Sequence, residues 1–387
     1  MKIVFDGQPL LGQNKTGIAY NEDGLLRGLL KQYGQDQYAV DIFSFKHASE
    51  KRDAVSHYSV DLKIYECKWF SGTLFRLLSL IFPVPYCLFF GQKRDITHFC
   101  NFVIPFGVKG KKVVTIHDLA FREYPETVRA RTMLMLKRNI KHSIKRSDAI
   151  VTVSEFTKKE LLKYYDVLPQ KVTVVPNGVD TAQYHSKYSI KQIESVKKKY
   201  NIEGKYFLYL GTLEPRKNLC GLLRAYKIFY DKIKGVGGDI PKLVLAGGKG
   251  WMFHDIFRTA EEINLNDHII FTGYVQEEEK ALLMNGASVF CFPSFYEGFG
   301  MPPLEAMACG TPVLTSNNSS LAEVTEGAAV QVAPEDLEEM AKAMNRLWKD
   351  RELCAELIEK GFKRVQKYSW GNAVEVLHDL YQKLQNK

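Results

Sequence analysis

Short apolar runs alternate with longer amphipathic stretches along most of the chain. In the first half, the runs that predict buried strands lie at residues 3–5, 96–99, 113–116, 149–153 and 172–175. In the second half, they lie at residues 206–210, 243–246, 269–271, 289–292 and 313–315. Strands that alternate with helical segments are typical of parallel sheets. The pattern therefore predicts two βα series, one in each half of the chain.

A Lys-rich polar stretch at residues 184–204 interrupts this alternation and is the candidate linker. Helical periodicity resumes from Glu335, and Trp370 introduces a last helix. We therefore place an N-terminal domain at residues 1–190 and a C-terminal domain at residues 191–369, each large enough for a core of its own. In open α/β sheets, ligands bind beyond the carboxyl ends of the strands, so the chemistry is expected there.

The composition is that of an ordinary soluble protein, with 387 residues of which 45% are apolar and 25% charged. Seven scattered cysteines without a Cys-x-x-Cys pair favour a reducing cytosol over a disulfide framework. Residues 1–6 become polar too early for the core of a signal peptide and predict a first strand instead. We therefore expect a cytoplasmic protein.

The net charge of +9 is compatible with nucleic acid, anionic membranes or acidic small molecules as partners. The cations are not interleaved with aromatic residues in a nucleic-acid-binding motif, so we expect no nucleic-acid partner. Many of them gather in one segment, as Arg129, Arg131, Lys137, Arg138, Lys141, Lys145 and Arg146.

Residues 70–90 are strongly apolar, but Arg76 and the prolines at 83 and 85 argue against a membrane span. They predict an amphipathic helix that, with the basic segment, suits peripheral contact with the anionic inner face of the plasma membrane. An ordinary domain helix with a solvated basic face explains the same pattern. Both interpretations stay open.

Two carboxylates stand out in the segment 293–312, Pro-Ser-Phe-Tyr-Glu-Gly-Phe-Gly-Met-Pro-Pro-Leu-Glu-Ala-Met-Ala-Cys-Gly-Thr-Pro. An apolar run ends just before it, two adjacent prolines fit the first turn of a helix, and Gly310 fits the end of that helix. Glu297 is then expected on the loop and Glu305 in the first helical turn.

The same loop offers backbone N–H groups of Phe299, Gly300 and Met301 at a helix start, where anions bind. Ionised carboxylates accept hydrogen bonds from sugar hydroxyls. A ligand with both phosphate and hydroxyls, such as a nucleotide sugar, matches this combination. The alternative is that Glu305 only favours the helix start and Glu297 is only solvated, which explains less of the pattern.

In the N-terminal half, two further strand ends carry candidate residues. The loop at 12–18 supplies glycines and amides around Thr16 and Gly17, which suits phosphate, and it lacks the Gly-x-Gly-x-x-Gly of dehydrogenases. His117 and Asp118 directly follow the run 113–116. A histidine that ends a strand is usually structural, but this one is expected at the ligand-binding edge.

In the C-terminal half, Arg216 and Lys217 follow the strand at 206–210 within Gly-Thr-Leu-Glu-Pro-Arg-Lys-Asn. Adjacent cations there can clamp a diphosphate, the arginine by its fork and the lysine as a point charge. The alternative for both is a solvated loop. The ends of the next two strands add four neighbours of the same site: Gly248, Lys249, Tyr274 and Val275.

Together these motifs resemble the retaining GT-B glycosyltransferases of family 4, over nearly the whole chain. The resemblance implies an α/β GT-B fold, with two Rossmann-like domains whose parallel sheets face a central cleft. It also implies that the last helix, at 370–387, packs back on the first domain. The activity implied is transfer of a hexose from a nucleoside-diphosphate sugar.

The resemblance also implies residue roles. Glu297 would contact the transferred sugar, Glu305 would hold the ribose hydroxyls, and the amides of residues 299–301 would contact the donor. His117 would lie beside the transferred sugar and support the transition state, with Asp118 able to orient its ring.

Other donor-binding roles come from the same resemblance. Thr16 and Gly17 would approach the diphosphate, while Val275 would bind the base through its backbone. Leu304 is counted with the donor-binding residues, and residues 318–324 would hold the domain together. One departure is Thr212, where many relatives carry arginine, which leaves open how Arg216 and Lys217 divide the phosphate oxygens.

A nucleoside diphosphate leaves readily when its developing charge is neutralised, and Arg216 and Lys217 can do this. No Asp-x-Asp triplet occurs in the sequence, so we expect no metal requirement and no cofactor. By resemblance, the acceptor hydroxyl attacks from the leaving-group face and the anomeric configuration is retained. A covalent intermediate on Glu297, as in retaining glycoside hydrolases, stays open.

The Gly-Thr-Leu-Glu-Pro-Arg-Lys-Asn form resembles bacterial mannose transferases, so GDP-mannose is the expected donor, ahead of UDP-glucose, UDP-N-acetylglucosamine and dTDP-rhamnose. The expected acceptor is a lipid-linked carrier or an oligosaccharide of a cell-surface polysaccharide such as lipopolysaccharide. A degenerate scaffold subunit of an assembly complex is the alternative of a different class. The joint presence of His117, Arg216, Lys217, Glu297 and Glu305 argues against degeneration.

Overall fold

The computed structural model of the protein describes residues 1–12, 16–46, 48–56, 58–59, 61–79, 82–128, 130–235 and 239–386, with only the backbone at positions 48, 130 and 131. The chain divides into two compact units. Unit 1 comprises Met1–Glu123, Val128–Gly178 and Trp370–Lys387, and unit 2 comprises Tyr124–Thr127 and Val179–Ser369. Residues 179–190, which the sequence placed in the N-terminal domain, group with unit 2.

Parallel sheets form the centre of both units. The strands are β1 Lys2–Asp6, β2 Gln37–Phe43, β3 Lys63–Cys67, β4 Ile96–Phe99, β5 Lys111–Ile116, β6 Ala149–Thr152, β7 Val172–Val174, β8 Tyr206–Leu210, β9 Lys242–Ala246, β10 Ile269–Gly273, β11 Val289–Phe292, β12 Val313–Ser316 and β13 Val330–Val332. Unit 1 holds the order β3-β2-β1-β4-β5-β6-β7, and unit 2 holds β10-β9-β8-β11-β12-β13. All these pairings are parallel. The predicted α/β class with two Rossmann-like sheets is confirmed.

Helices connect the strands of both sheets. They are α1 Gly17–Gln32, α2 Ala48–Ser56, α3 Gly72–Leu78, α4 Ala120–Glu123, α5 Ala130–Arg146, α6 Glu155–Tyr164, α7 Ile190–Lys199, α8 Leu219–Lys234, α9 His254–Glu262, α10 Glu277–Gly286, α11 Met301–Ala308, α12 Ser319–Val324, α13 Leu337–Lys349, α14 Arg351–Lys367 and α15 Trp370–Gln385. Five 3-10 turns lie in the described residues, at Gln8–Leu11, Tyr86–Leu88, Pro125–Thr127, Pro169–Lys171 and Pro215–Lys217.

All ten predicted strands are present, with bounds shifted by at most two residues. Strands β8, β11 and β12 are buried along their whole length, which is why they stand out as apolar runs. Strand β2 was not predicted because Asp41 interrupts its apolar run. That carboxylate is fully buried and accepts a hydrogen bond from Arg94 Nη1 at 2.5 Å, so the sheet accommodates it as an ion pair. Strands β3 and β13 were also not predicted, since β3 mixes polar and apolar residues and β13 has only three residues.

The predicted linker at 184–204 is wrong in its centre, which forms helix α7. A capping box starts the helix, since Ser189 accepts the Gln192 N–H and the Gln192 side chain accepts the Ser189 N–H. Val196 is buried, so the helix has a packed face despite its many lysines.

The predicted amphipathic helix at 70–90 is also shorter than expected. Helix α3 ends at Leu78, and two prolines, which lack the N–H that a helix needs, precede the turn at Tyr86–Leu88. Leu80 and Ile81 lie outside the described residues.

The predicted basic segment lies largely on α5, which carries Lys137, Arg138, Lys141, Lys145 and Arg146. Arg129 and the side chain of Arg131 are outside the described part of the chain. Among the described residues, no helix combines the length and the apolar character needed to cross a membrane.

Helix α15 packs within unit 1, although it follows unit 2 in sequence. A Cβ placed on Gly24 of α1 would lie 2.2 Å from the Trp370 ring, so only glycine allows this approach. The Tyr381 hydroxyl lies 2.6 Å from His98 Nδ1 on β4. These contacts hold the last helix against the first sheet.

Candidate active site

The Arg216–Lys217 turn and the Glu297 loop meet at the carboxyl end of the sheet in unit 2. The turn follows β8, the loop follows β11, and these two strands are neighbours in the sheet. The order of the strands thus brings together Lys217 and Glu297, which are 80 positions apart in sequence. The Phe295 N–H donates to the Arg216 carbonyl at 2.9 Å and fixes the loop against the turn.

Glu297 forms ion pairs with both cations. It is only 7% exposed, and its Oε2 accepts from Arg216 Nη1 at 2.9 Å while its Oε1 accepts from Lys217 Nζ at 2.5 Å. Burial by itself raises the pKa of Glu297, but the charges and hydrogen bonds of the two cations outweigh it and hold the pKa at about 2. The carboxylate is therefore ionised at any physiological pH.

Arg216 is held on further sides. Its Nη1 donates to the Tyr296 carbonyl at 2.6 Å, and its Nη2 donates to Glu214 at 2.9 Å. From the sequence, the cations were expected on phosphate and Glu297 on the sugar; their direct pairing and the contact of Glu214 were not predicted. Lys217 has three N–H donors and places one on Glu297, its sole hydrogen bond to the described residues. Two donors are left for a ligand.

Three successive N–H groups, of Phe299, Gly300 and Met301, lie at the start of α11. Gly300 has φ 96°, a left-handed conformation that glycine adopts at little cost and that turns the chain into the helix. As predicted, the helix has proline in its first turn. Within the described residues, none of the three N–H groups donates a hydrogen bond. Unpaired amides at a helix start are suited to an anion.

Glu305 is the fifth residue of α11 and therefore lies beyond the first turn, in which it was predicted. Its carboxylate makes no hydrogen bond to any described residue. Burial raises its pKa to about 7, with Lys280 opposing this shift and Glu277 and Asp180 adding to it. A partly buried carboxylate to which no protein group donates is suited to accept hydrogen bonds from the two hydroxyls of a ribose.

The loops after β8, β9 and β10 pack into one surface. The Gly247 N–H donates to the Gly273 carbonyl at 2.9 Å, and the Leu213 N–H donates to the Gly248 carbonyl at 3.0 Å. A Cβ on Gly247 would lie 1.9 Å from the Gly211 carbonyl oxygen, so this position requires glycine.

The remaining candidates of unit 2 differ in exposure. Lys249 is exposed, and Tyr274 is 52% exposed with its ring near Gly248. The Val275 side chain is buried, while its backbone makes no hydrogen bond within the described residues. Leu304 is fully buried, so its side chain packs in the core. Donor contacts of these residues stay predictions.

The segment 318–324, expected to hold the domain together, supports the Glu297 loop directly. The Glu297 N–H donates to Ser319 Oγ at 3.2 Å. The Ser320 hydroxyl lies 2.8 Å from the carbonyl oxygens of both Glu297 and Phe299. Within the segment 318–324, the individual roles of these two serines were not predicted, because short polar side chains at a helix start are common.

The raised pKa of Glu305 leads to a prediction for Glu305→Gln. The unfolded carboxyl loses its proton near pH 4.5, whereas the folded one keeps it up to about pH 7. The wild type thus loses stability as the pH rises from 4.5 to 7, and the variant does not. At pH 8 we expect the variant to be more stable by about 1–3 kcal/mol and to bind nucleotide at least about tenfold more weakly.

Urea unfolding and nucleotide calorimetry at pH 6, 7 and 8 would measure both effects. Wild-type affinity should fall towards pH 6 as the acceptor becomes protonated, while the affinity of the variant should stay flat. Glu278→Gln, an exposed carboxylate on α10, is the matched control and should change neither quantity. A stabilised variant with unchanged affinity would remove Glu305 from the binding site.

In unit 1, His117 follows β5 and its Nε2 lies 2.7 Å from the Cys100 carbonyl. A carbonyl only accepts, so Nε2 carries the proton. Burial lowers the pKa of His117, against the opposing effects of that carbonyl and Asp118, so the ring is neutral and Nδ1 has a lone pair. Asp118 accepts the Ala120 N–H at 3.1 Å. The interpretation that Asp118 orients the ring is wrong, because Cys100 does so.

Thr16 and Gly17 start helix α1. The Thr16 hydroxyl accepts the Ala19 N–H at 3.5 Å as the N-cap, and both residues are exposed. Apart from its chain neighbours and the backbone of its own helix, no described atom lies within 4 Å of where a Gly17 Cβ would be. Residues 13–15 lie outside the described part of this loop, so its approach to a diphosphate stays a prediction.

Two family descriptions match the chain. Residues 191–364 match "Glycosyl transferases group 1", and residues 25–183 match "Glycosyltransferase Family 4". The chain is 30% identical over 293 residues to O-antigen chain mannosyltransferase B of Escherichia coli, covering 76% of this chain and 75% of that one. It is 31% identical over 232 residues to the serotype-specific mannosyltransferase WbdA of Escherichia coli, covering 60% of this chain but only 28% of WbdA.

Solved structures share the fold over the whole chain. Sucrose-phosphate synthase from Thermosynechococcus elongatus aligns with a TM-score of 0.75 and 18% identity, covering 99% of this chain and 98% of that one. Anabaena HepE, solved in complex with UDP and glucose, aligns with a TM-score of 0.74 and 15% identity, covering 99% and 100%. These likenesses establish the GT-B fold. With the family matches and the extended identity to mannosyltransferase B, they show that the chain belongs to the group 1 glycosyltransferases of family 4.

Proposed function

We propose that the protein transfers mannose from GDP-mannose, with retention of the anomeric configuration, to a lipid-linked or oligosaccharide acceptor in the assembly of a cell-surface polysaccharide. The observation that carries the choice of sugar is the 30% identity to an O-antigen chain mannosyltransferase over three quarters of both chains. The second relative is also a mannosyltransferase.

The site in unit 2 supports a nucleotide-sugar donor. Arg216 and Lys217 supply positive charge for the diphosphate, and the unpaired amides at residues 299–301 supply further donors. Glu305 supplies an unpartnered acceptor for the ribose hydroxyls. In unit 1, the lone pair on His117 Nδ1 is suited to accept a hydroxyl of the transferred sugar.

Attack from the leaving-group face is supported by the state of Glu297. Both of its carboxylate oxygens are in ion pairs, and a pKa of about 2 marks a weak base and a weak nucleophile. We therefore assign Glu297 to the support of positive charge rather than to a covalent intermediate. The two cations take the place that a divalent ion has in enzymes with Asp-x-Asp, so turnover is proposed to need no metal.

A lipid-linked acceptor requires access to a membrane surface. Lys137, Lys141 and Lys145 are exposed on α5, and Leu134 of the same helix is 68% exposed. This combination supports peripheral contact with an anionic bilayer.

Ligand-induced thermal stabilisation in EDTA would test the donor. A ligand at a hundred times its Kd adds about 2.7 kcal/mol to apparent stability. We expect GDP-mannose to stabilise more than UDP-glucose, UDP-N-acetylglucosamine or dTDP-rhamnose, and the effect to disappear in Glu305→Ala. If a UDP-sugar stabilised the protein more, the proposed donor would change from GDP-mannose to that sugar. If no member of the panel stabilised it, a degenerate scaffold would be favoured.

A further inference from the structure

Helix α5 and the segment around α3 border a cavity of about 240 Å³ within unit 1. Met135, Arg138, His142 and Arg146 line it and share one face of α5, because they recur at helical spacing. The cavity is larger than the apolar cavities of roughly 150 Å³ that bind benzene. None of the residues predicted for donor binding is among the described residues that line it.

The cavity is electrostatically positive. Arg76, Arg138 and Arg146 line it, and Asp6 is the single carboxyl among its described lining residues. Burial raises the pKa of Asp6 to about 6, with Arg76 opposing the shift. Arg146 is fixed in place, since its Nη1 donates to the Ile104 carbonyl at 3.2 Å. Three permanent cations against one carboxyl favour an anionic ligand.

The same cavity has aromatic walls. Phe75 is buried, but Phe82 is 61% exposed and Phe106 is 45% exposed. Large apolar side chains gathered at a cavity mouth mark a binding site for apolar groups. The ligand that fits both properties is an amphipathic anion.

Two buried polar atoms give independent support for a ligand. Gln8 Nε2 and Ser79 Oγ have no hydrogen-bond partner among the described residues, and both residues line the cavity. A buried donor without a partner is unfavourable, and a polar ligand in the cavity can satisfy it.

We propose that this cavity binds the phosphate ester of a lipid-linked acceptor, with the phosphate on Arg138 and Arg146 and the hydrocarbon chain on Phe82 and Phe106. Arginine pairs with phosphate through its planar fork, which accounts for cations of this type. The inference rests on the proposed function only in naming the ligand as the acceptor.

The cavity also has a direction. Asp6 ends β1 and Asn101 lies just after β4, so its polar end is at the carboxyl edge of the sheet. The neighbour of Asn101, Cys100, holds the His117 ring at that edge. Glycan hydroxyls of the bound acceptor therefore lie on the side of His117, and the lipid chain lies on the side of the exposed aromatics.

Calorimetry of the full chain with farnesyl phosphate, farnesol and inorganic phosphate would test this site. Farnesyl phosphate is expected to bind at least about tenfold more tightly than either fragment, because only it offers both charge and hydrocarbon. Arg138→Gln should weaken it by about 10- to 100-fold. Arg138 is exposed, so this variant is expected to fold. The matched control, Lys141→Gln, removes a charge from α5 outside the cavity and should change affinity less than about twofold.

Each other outcome is informative. Equal binding of inorganic phosphate and farnesyl phosphate would overturn the lipid part of the proposal. Equal weakening by the two variants, or binding only to phosphatidylglycerol vesicles, would assign the effect to a general membrane surface and overturn the site. If farnesyl phosphate binds as expected while GDP-mannose does not stabilise the protein, the site stands and the proposed donor fails.

Discussion

Replacement of Lys217 by methionine is expected to lower kcat/KM for the nucleotide sugar by about 10²–10³-fold, mostly through kcat. The Lys217 ammonium lies 2.5 Å from Glu297 and 5.1 Å from the centre of the Phe292 ring, so its position is fixed before a ligand arrives. A charge fixed in advance stabilises a leaving diphosphate more in the transition state than in the ground state. Methionine keeps the apolar stem and removes only this charge.

Steady-state release of nucleoside diphosphate would measure kcat, and calorimetry would measure donor affinity. The two measurements together separate a loss of turnover from a loss of binding. Lys227→Met is the matched control, because Lys227 lies on α8, the helix that follows the Lys217 turn, and among the described residues its ion pair is an exposed one with Asp231. If both variants kept wild-type turnover, Lys217 would have no part in the departure of the leaving group.

The predictable part of the fold was the buried part. Strands such as β8 and β11 are apolar throughout because both faces of a parallel sheet are covered, and the apolar run then marks the strand. Strand β2 was not predicted, because Asp41 interrupts its apolar run and the sequence does not show that this carboxylate is buried against Arg94. Helix α7 was not predicted, because only a narrow face around Val196 is buried and the rest of the helix is polar.

The sequence predicts at which end of a sheet a candidate residue lies, but not which side chain it meets there. Most candidates lie in the loop after a strand or at the start of the helix that follows it, which places them at the carboxyl edge of a sheet. Which side chains meet there depends on strand order, which local sequence does not state. Glu297 pairs with Arg216 because β8 and β11 are neighbours in the sheet although they are far apart in the chain. Cys100 holds His117 because β4 and β5 are neighbours as well as consecutive strands.

The two carboxylates of the 293–312 segment illustrate this dependence. Glu297 and Glu305 lie in one short loop and helix segment, yet the pKa of the first is about 2 and that of the second is about 7. Burial raises the pKa of both carboxyls, so the difference comes from the two cations beside Glu297. Opposite pKa shifts within one site indicate different roles. Here Glu297 would support positive charge, and Glu305 would accept hydrogen bonds from hydroxyl groups.

Replacement of Glu297 by glutamine is expected to destabilise the protein by about 3 kcal/mol at pH 7. The folded pKa of about 2 lies below the unfolded value of 4.5, so the ion pairs stabilise the fold fully above pH 4.5. This stabilisation is lost as the pH falls towards 2. The difference between wild type and variant should therefore be smaller at pH 3 than at pH 7, which urea unfolding at both values would measure. Glu356→Gln, which breaks an exposed pair with Lys360, should cost less than about 0.5 kcal/mol.

Turnover by Glu297→Gln is expected to fall by about 10³-fold or more. The ion pairs that hold Arg216 and Lys217 in position are lost, and the positive charge that develops on the sugar no longer has a carboxylate beside it. If Glu297 acts through charge, azide added to Glu297→Ala can at most replace the lost negative charge beside Arg216 and Lys217, and it should form no glycosyl azide. A nucleophilic Glu297 would instead yield a glycosyl azide with Glu297→Ala and, in the wild type, a glycosylated peptide carrying Glu297. Mass spectrometry of both products would decide between the two mechanisms. The fixed ion pairs on both carboxylate oxygens favour the first.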